Sequence, residues 1–210
     1  MKKQRVIFDL DGTLLTSDPS LEKDFFADVY GKEAGELFVS QIPGALDNYE
    51  NRFKTYNIAL LACYLSDVTG FPVTPQIVED WVNTLAYVPD VIENHIIDVL
   101  EYLKKRNMSL AVLTNWFRDT QVPRLRKSGL LDYFDQVYTG DQFLKPHKEA
   151  FYGSIGSFDP DACVFIGDNV NRDYIGPKAC GMDSILYDKH NLHHKTLVKV
   201  RSLDELKEKL

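Results

Sequence analysis

No stretch of this 210-residue sequence stays apolar for the roughly 20 residues that a bilayer-crossing helix needs. Met1-Lys2-Lys3 leads directly into a strand-like segment with no cleavable apolar region behind it, so the chain is expected in the cytoplasm, with no membrane partner. Cysteine is scarce. Cys63, Cys163 and Cys180 lie far apart in apolar contexts and form no C-x-x-C pair, which argues against a disulfide frame, a thiolate metal site or thiol catalysis. Buried thiols in a reducing compartment are the expectation. Basic residues are outnumbered, 24 against 31 acids for a net charge of −7, and form no stripe that could hold phosphates in series. A nucleic acid is therefore not expected as a partner. Repeats, low-complexity tracts and long linkers are lacking too.

What the sequence does have is an ordinary globular balance, 44% hydrophobic and 26% charged, in a length that buries one sizeable core with room for an insertion. Its charge is unevenly spread. Residues 16–88 carry 11 acids and 4 bases, whereas the remainder carries 20 of each sign, which marks a compositional boundary at both ends of that segment. Outside it, the short runs RVIFDL, SLAVLTN, DQVYTG, ACVFIGD and DSILYD alternate with helical stretches at about 91–106, 119–128, 146–156, 172–180 and 203–210. Strands alternating with helices predict an α/β fold with a doubly wound, Rossmann-like parallel sheet, whose ligand site lies outside the carboxyl ends of the strands. Asp9 and Asp11 end the first run, Thr114 and Asn115 the second, and Asp168 the fourth, so polar groups converge on one edge.

Residues 16–88 read as helical throughout. Tyr49, Phe53, Tyr56, Leu60, Tyr64 and Val68 recur every three or four residues, and Thr74-Pro75 is an N-cap and first-turn pair that opens a further helix. The segment is thus an all-helical insertion between the first and second strands. It holds 11 of the 25 aromatic residues, and at helical spacing these are expected to form its own small core.

The D-x-D-G of residues 9–12 poses a problem in electrostatics. On a strand, Asp9 and Asp11 would point to the same side, and two like charges side by side need a cation or a proton between them. Three further stretches fit the same edge: LTN (113–115), the lysine of LKP (144–146) and GDNVNRD (167–173). With DLDGT (9–13), these four motifs, in this order, resemble those of the haloacid dehalogenase superfamily of phosphohydrolases, and IGPKACGM (175–182) is similar to that family's continuation. The resemblance spans the whole core. It implies a catalytic core of residues 1–15 and 89–210, a helical cap of residues 16–88, and Mg²⁺-dependent hydrolysis of a small phosphorylated metabolite through an aspartyl-phosphate.

The roles implied follow the chemistry of an anionic ester. Asp9 would be the nucleophile and Asp11 the acid and base, with Mg²⁺ held by Asp9, the backbone carbonyl of Asp11 and Asp168. Asp173 would act behind them, fixing a metal-bound water or Lys145. Thr114, the Asn115 backbone N–H and Lys145 would bind the phosphoryl oxygens, Gly12 would let the backbone turn beneath them, and Trp116 would wall the leaving-group pocket or simply pack. Lys148 rivals Lys145, because relatives often show KPDP where this chain has KPHK. His190, His193 and His194 read as a solvated loop. Asp11 argues against a true dehalogenase, since a halide leaves without a proton. A phosphomutase acting on a sugar phosphate and a phospho-accepting receiver module stay open as alternatives.

Overall fold

The computed structural model describes residues 3–210. In chain order its strands are β1 (Arg5–Phe8), β2 (Leu15–Ser17), β3 (Asp90–Ile92), β4 (Ser109–Leu113), β5 (Gln136–Tyr138), β6 (Cys163–Gly167), β7 (Asp183–Tyr187) and β8 (Lys199–Val200). Its α-helices are α1 (Ser20–Tyr30), α2 (Lys32–Arg52), α3 (Ile58–Thr69), α4 (Pro75–Leu85), α5 (Ile96–Lys105), α6 (Arg118–Lys127), α7 (Lys148–Ile155), α8 (Gly176–Ala179) and α9 (Leu206–Lys209). None of these helices is long and apolar enough to cross a membrane.

Six strands form one sheet in the order β5-β4-β1-β6-β7-β8, every neighbouring pair parallel. Side-chain alternation divides the core between its two faces. Val6, Phe8, Leu110, Val112, Val164 and Ile166 pack with Val99, Leu100 and Leu103 of α5 and Leu125 of α6. Ile7, Ala111, Leu113 and Phe165 pack with Ala150, Phe151 and Ile155 of α7. The strand order reverses between β1 and β6, which is where an open parallel sheet leaves a crevice at its carboxyl edge.

Helices α1 to α4 lie between β2 and β3, which pair antiparallel as a two-stranded ribbon. Their core includes Phe26, Phe38, Tyr49, Leu61, Leu65 and Trp81. The local signals act as expected at two ends: the Asn57 and Thr74 side chains accept the Leu60 and Ile77 N–H groups. Four expectations fail. The stripe from Tyr49 to Val68 is not one helix, because the chain leaves α2 at Phe53 and re-enters helix at Ile58; Tyr49 and Tyr56 are buried, whereas Leu60 and Val68 are exposed. The helix expected over 91–106 starts only at Ile96, since Val91 and Ile92 pair with Leu15 and Thr16 in the ribbon. Residues 16 and 17 are ribbon too. Cys163 and Cys180 are buried, but Cys63 is exposed on α3; an apolar neighbourhood in sequence does not say which way a helical side chain faces.

Two glycines of α2 separate packing from propensity. A Cβ at Gly35 would lie 2.5 Å from the Phe26 carbonyl oxygen of α1, whereas one at Gly44 would meet nothing within 4 Å. Gly35→Ala should therefore lower the melting temperature despite alanine's better helix propensity. Gly44→Ala should raise it by about 2 °C, the shift expected for somewhat under 1 kcal/mol in a chain of this size. Thermal melts of the two variants check both signs.

Candidate active site

At the crevice, Asp9 follows β1, Thr114 to Trp116 follow β4, Lys145 precedes α7, and Asp168 and Asp173 follow β6. The Lys145 ammonium is 2% exposed and lies 2.8 Å from Asp9 Oδ1 and 2.6 Å from Asp173 Oδ1. Asp173 is fully buried, and its other oxygen accepts the Asn169 N–H. The Asn115 side chain clasps Lys145 from both sides, its Nδ2 donating to the Lys145 carbonyl and its Oδ1 accepting the Lys145 N–H. Thr114 Oγ1 donates to the Asn115 carbonyl and accepts from Gln121 Nε2. Lys148, by contrast, is an exposed residue in the first turn of α7.

Carboxylate oxygens of Asp9, Asp168 and Asp173 lie within 4.8 Å of one another. Gly12 is required beside them on two counts. Its φ is +76°, and a Cβ there would sit 2.5 Å from Asp168 Oδ2. Burial holds the Asp9 carboxyl well above the usual carboxylate range, with Asp173 and Asp168 adding to the rise and Lys145 opposing it. Asp168 is pushed up to about 6, by desolvation and then by Asp173. Burial alone would lower the Lys145 ammonium, yet Asp173 and Asp9 outweigh it and raise it to about 12. One ammonium against three carboxylates leaves an excess of negative charge, and oxygen donors so crowded suit a hard divalent cation.

Asp9 and Asp11 both line the crevice, but neither belongs to β1 itself. The strand ends at Phe8, and Asp11 sits in the turn beyond, where Gln121 Nε2 and Arg124 Nη2 each donate to one of its oxygens at 2.7 Å. Each aspartate thus has its own cation. Arg124 is buried, forks onto both oxygens of Asp90 in β3, and also donates to Ser17 Oγ of β2. Neither Gln121 nor Arg124 stood out in the sequence, because the polar run RDTQVPRLRK reads as a solvent-facing helix.

The cavity above this edge is about 400 Å³ and reaches under α1, α2 and α4. Asp9, Asp11, Thr114, Asn115, Trp116, Lys145 and Asp168 all line it; Gly12 and Asp173 stand behind the wall. Trp116, with φ +85°, packs edge-on against Trp81 of α4 and Tyr56. Gly140 lets it do so, since a Cβ there would lie 2.6 Å from both the Trp116 nitrogen and the Tyr56 ring. Across the cavity, Glu50 of α2 accepts from Tyr56 Oη at 2.6 Å and pairs with Arg172. His190, His193 and His194 are exposed between β7 and β8.

A sequence model of the haloacid dehalogenase-like hydrolases matches residues 4–181. The chain belongs to that family. Membership sets the receiver-module alternative aside. Among relatives, ribulose-1,5-bisphosphate 5-phosphatase of Halopiger xanaduensis is 28% identical over 87% of this chain and 84% of its own. Pyrimidine 5'-nucleotidase PynA of Streptococcus pneumoniae is 35% identical, over 47% of this chain and 44% of its own, so that match spans less than half of either. A haloacid dehalogenase-like phosphatase from Thermococcus onnurineus superposes with a TM-score of 0.72 at 26% identity, covering 99% of this chain and 97% of that one.

The charge excess has a measurable sign in the metal-free protein. A carboxyl raised to about 6 is neutral below that pH and repelled above it, so its cost to stability is present at pH 7.5 and fades as the pH falls. With a chelator present, Asp168→Asn should raise the melting temperature at pH 7.5 by about 2 °C. The gain should shrink through pH 6 and vanish near pH 4. A variant less stable than the parent at every pH would show that the carboxylate is held by attraction instead.

Proposed function

We propose that this chain is a Mg²⁺-dependent phosphatase that hydrolyses a small phosphorylated metabolite through an aspartyl-phosphate on Asp9. The observation that carries this reading is the buried Lys145 ammonium bridging Asp9 and Asp173, with Asp168 beside them, at the point where the strand order reverses. Phosphatases among the relatives, one acting on a sugar bisphosphate and one on pyrimidine nucleotides, support the substrate class.

Asp9, the Asp11 carbonyl and Asp168 would hold Mg²⁺, whose positive charge would let an anionic nucleophile approach an anionic ester. An Asp9 oxygen attacks phosphorus and the bond to the leaving oxygen breaks, while the Asp11 carboxyl gives that oxygen its proton. Water then attacks the phosphorus of the aspartyl-phosphate, Asp11 takes the water's proton, and phosphate and free Asp9 result. Thr114, the Asn115 N–H and Lys145 hold the phosphoryl oxygens, whose charge peaks in the transition state. Asp173 orients Lys145. Asp11, whose two oxygens each take a donor here, gives up one of them to reach the leaving group. Residues 16–88 close over the strand edge as a cap, shielding the reaction from bulk water.

The cavity's charges define the body of the substrate. Its three basic residues are all engaged: Lys145 with Asp9, Arg124 with Asp11, and Arg172 with Glu50. Arg52 lies over the Phe53 ring and Lys54 pairs with Glu149, so neither of these two cap cations lines the pocket. A second phosphate meets no unpaired cation in the cavity lining, which favours a monophosphate over a bisphosphate.

Release of inorganic phosphate from a panel of phosphorylated metabolites, with and without Mg²⁺, tests the reading directly. It also separates a hydrolase from a mutase, which transfers the phosphate. Asp9→Asn should abolish turnover while the melting curve stays cooperative; near-normal turnover would remove Asp9 as nucleophile. Lys145→Ala should cost about 10²-fold or more in kcat and Lys148→Ala little. Asp11→Asn should lose roughly 10²- to 10⁴-fold on alkyl phosphates and far less on p-nitrophenyl phosphate, whose leaving group departs without a proton.

A further inference from the structure

Two acids on the cap side of the cavity wall, Glu22 and Asp18, form no ion pair among the described residues. Glu22, in the first turn of α1, lines the cavity from the cap side and is partly buried. Its Oε1 accepts the Trp81 indole N–H at 3.0 Å. Among the described residues no basic group forms an ion pair with it, in contrast to Asp9, Asp11 and Glu50 around the same cavity. A carboxylate offers about four acceptor sites, and one neutral N–H leaves most of them open. Asp18, four residues earlier on the same wall, adds charge of the same sign; its Oδ1 takes the Ser20 N–H and it too has no ion-pair partner among the described residues. The neighbouring surface is aromatic, with Trp81, Trp116 and Tyr56 on the wall. A carboxylate beside aromatic rings is the setting in which a positively charged nitrogen is held most readily.

We infer that Glu22 is a specificity-determining residue that receives a protonated amine on the alcohol half of the substrate, so that the natural ester is a phosphomonoester bearing a cationic nitrogen. This rests on the phosphatase reading and narrows it. Burial raises the Glu22 carboxyl from its ordinary value while the Trp81 N–H opposes the rise, the state of a charge short of partners. An ammonium arriving from the ligand supplies the missing partner, and a carboxylate or second phosphate at that place is repelled.

The test uses alkyl monophosphates of two to five carbons whose far end is an amine, a hydroxyl or a carboxylate, with p-nitrophenyl phosphate as a control of basal activity, all with Mg²⁺. In the parent protein kcat/KM should rank amine above hydroxyl above carboxylate at the best chain length. Glu22→Gln, which keeps an oxygen for the Trp81 N–H, should lose roughly tenfold on the amine through KM, with the hydroxyl ester and the control little changed. Glu22→Lys should invert the order of amine and carboxylate. A role limited to holding the Trp81 indole would change all esters in proportion, and that result, or a parent preference for the carboxylate, overturns the inference while leaving the phosphatase reading intact. Failure to release phosphate from any ester, the control included, overturns both.

Discussion

The Lys145 ammonium, almost wholly buried and shared by Asp9 and Asp173, is the interaction on which the site depends. Its chain segment, its two partners and the glycine that lets the partners approach come from three separate strand ends. A Cβ at Gly167 would lie 2.5 Å from the Asp173 side chain, so the close of β6 is shaped to admit that carboxylate. Removing one member of a buried ion group costs about 3–5 kcal/mol, chiefly because the survivors are left charged and dry. The sheet edge therefore holds these three groups together as a unit. With Asp168 beside them, one ammonium stands against three carboxylates, an excess of negative charge that a divalent cation would offset.

A second network joins the site to the helical segment. Arg124 binds Asp11 in the site, Ser17 on β2 and Asp90 on β3, so one guanidinium touches the candidate acid and both strands by which α1 to α4 are attached. Backbone bonds add to this at the far side, from Tyr56 N–H to the Gly140 carbonyl and from Leu144 N–H to the Lys54 carbonyl. The connection between α2 and α3 thereby rests on the loop that leads into Lys145. Movement of the helical segment is thus coupled at both ends to residues of the site.

Much of this was legible in the sequence because short-range rules govern it. The β-branched runs gave the strands and their alternation gave the two faces of the sheet, and motif residues at strand ends collect at one edge by topology alone. The failures come where long-range pairing decides. Val91 and Ile92 look like the start of an amphipathic helix until their partners Leu15 and Thr16 are known. Asp9 and Asp11 look like part of the first strand until that strand is seen to stop at Phe8. Arg124 and Arg172 sit in polar stretches that carry no mark of burial, and only the acids they meet, 34 or more positions away, distinguish them from solvated side chains. Glu22 is legible only once the cavity exists.

The aromatic contact between α4 and the loop after β4 has an optical consequence. Trp81 and Trp116 are the only tryptophans of the chain, and their ring centroids lie 4.6 Å apart at 64° across the junction of the helical segment and the sheet. Indoles that close share excitation and report their separation, so any parting of the two units changes both emission and near-ultraviolet circular dichroism without an added label. The chain carries its own spectroscopic gauge of whether the helical segment is down on the site.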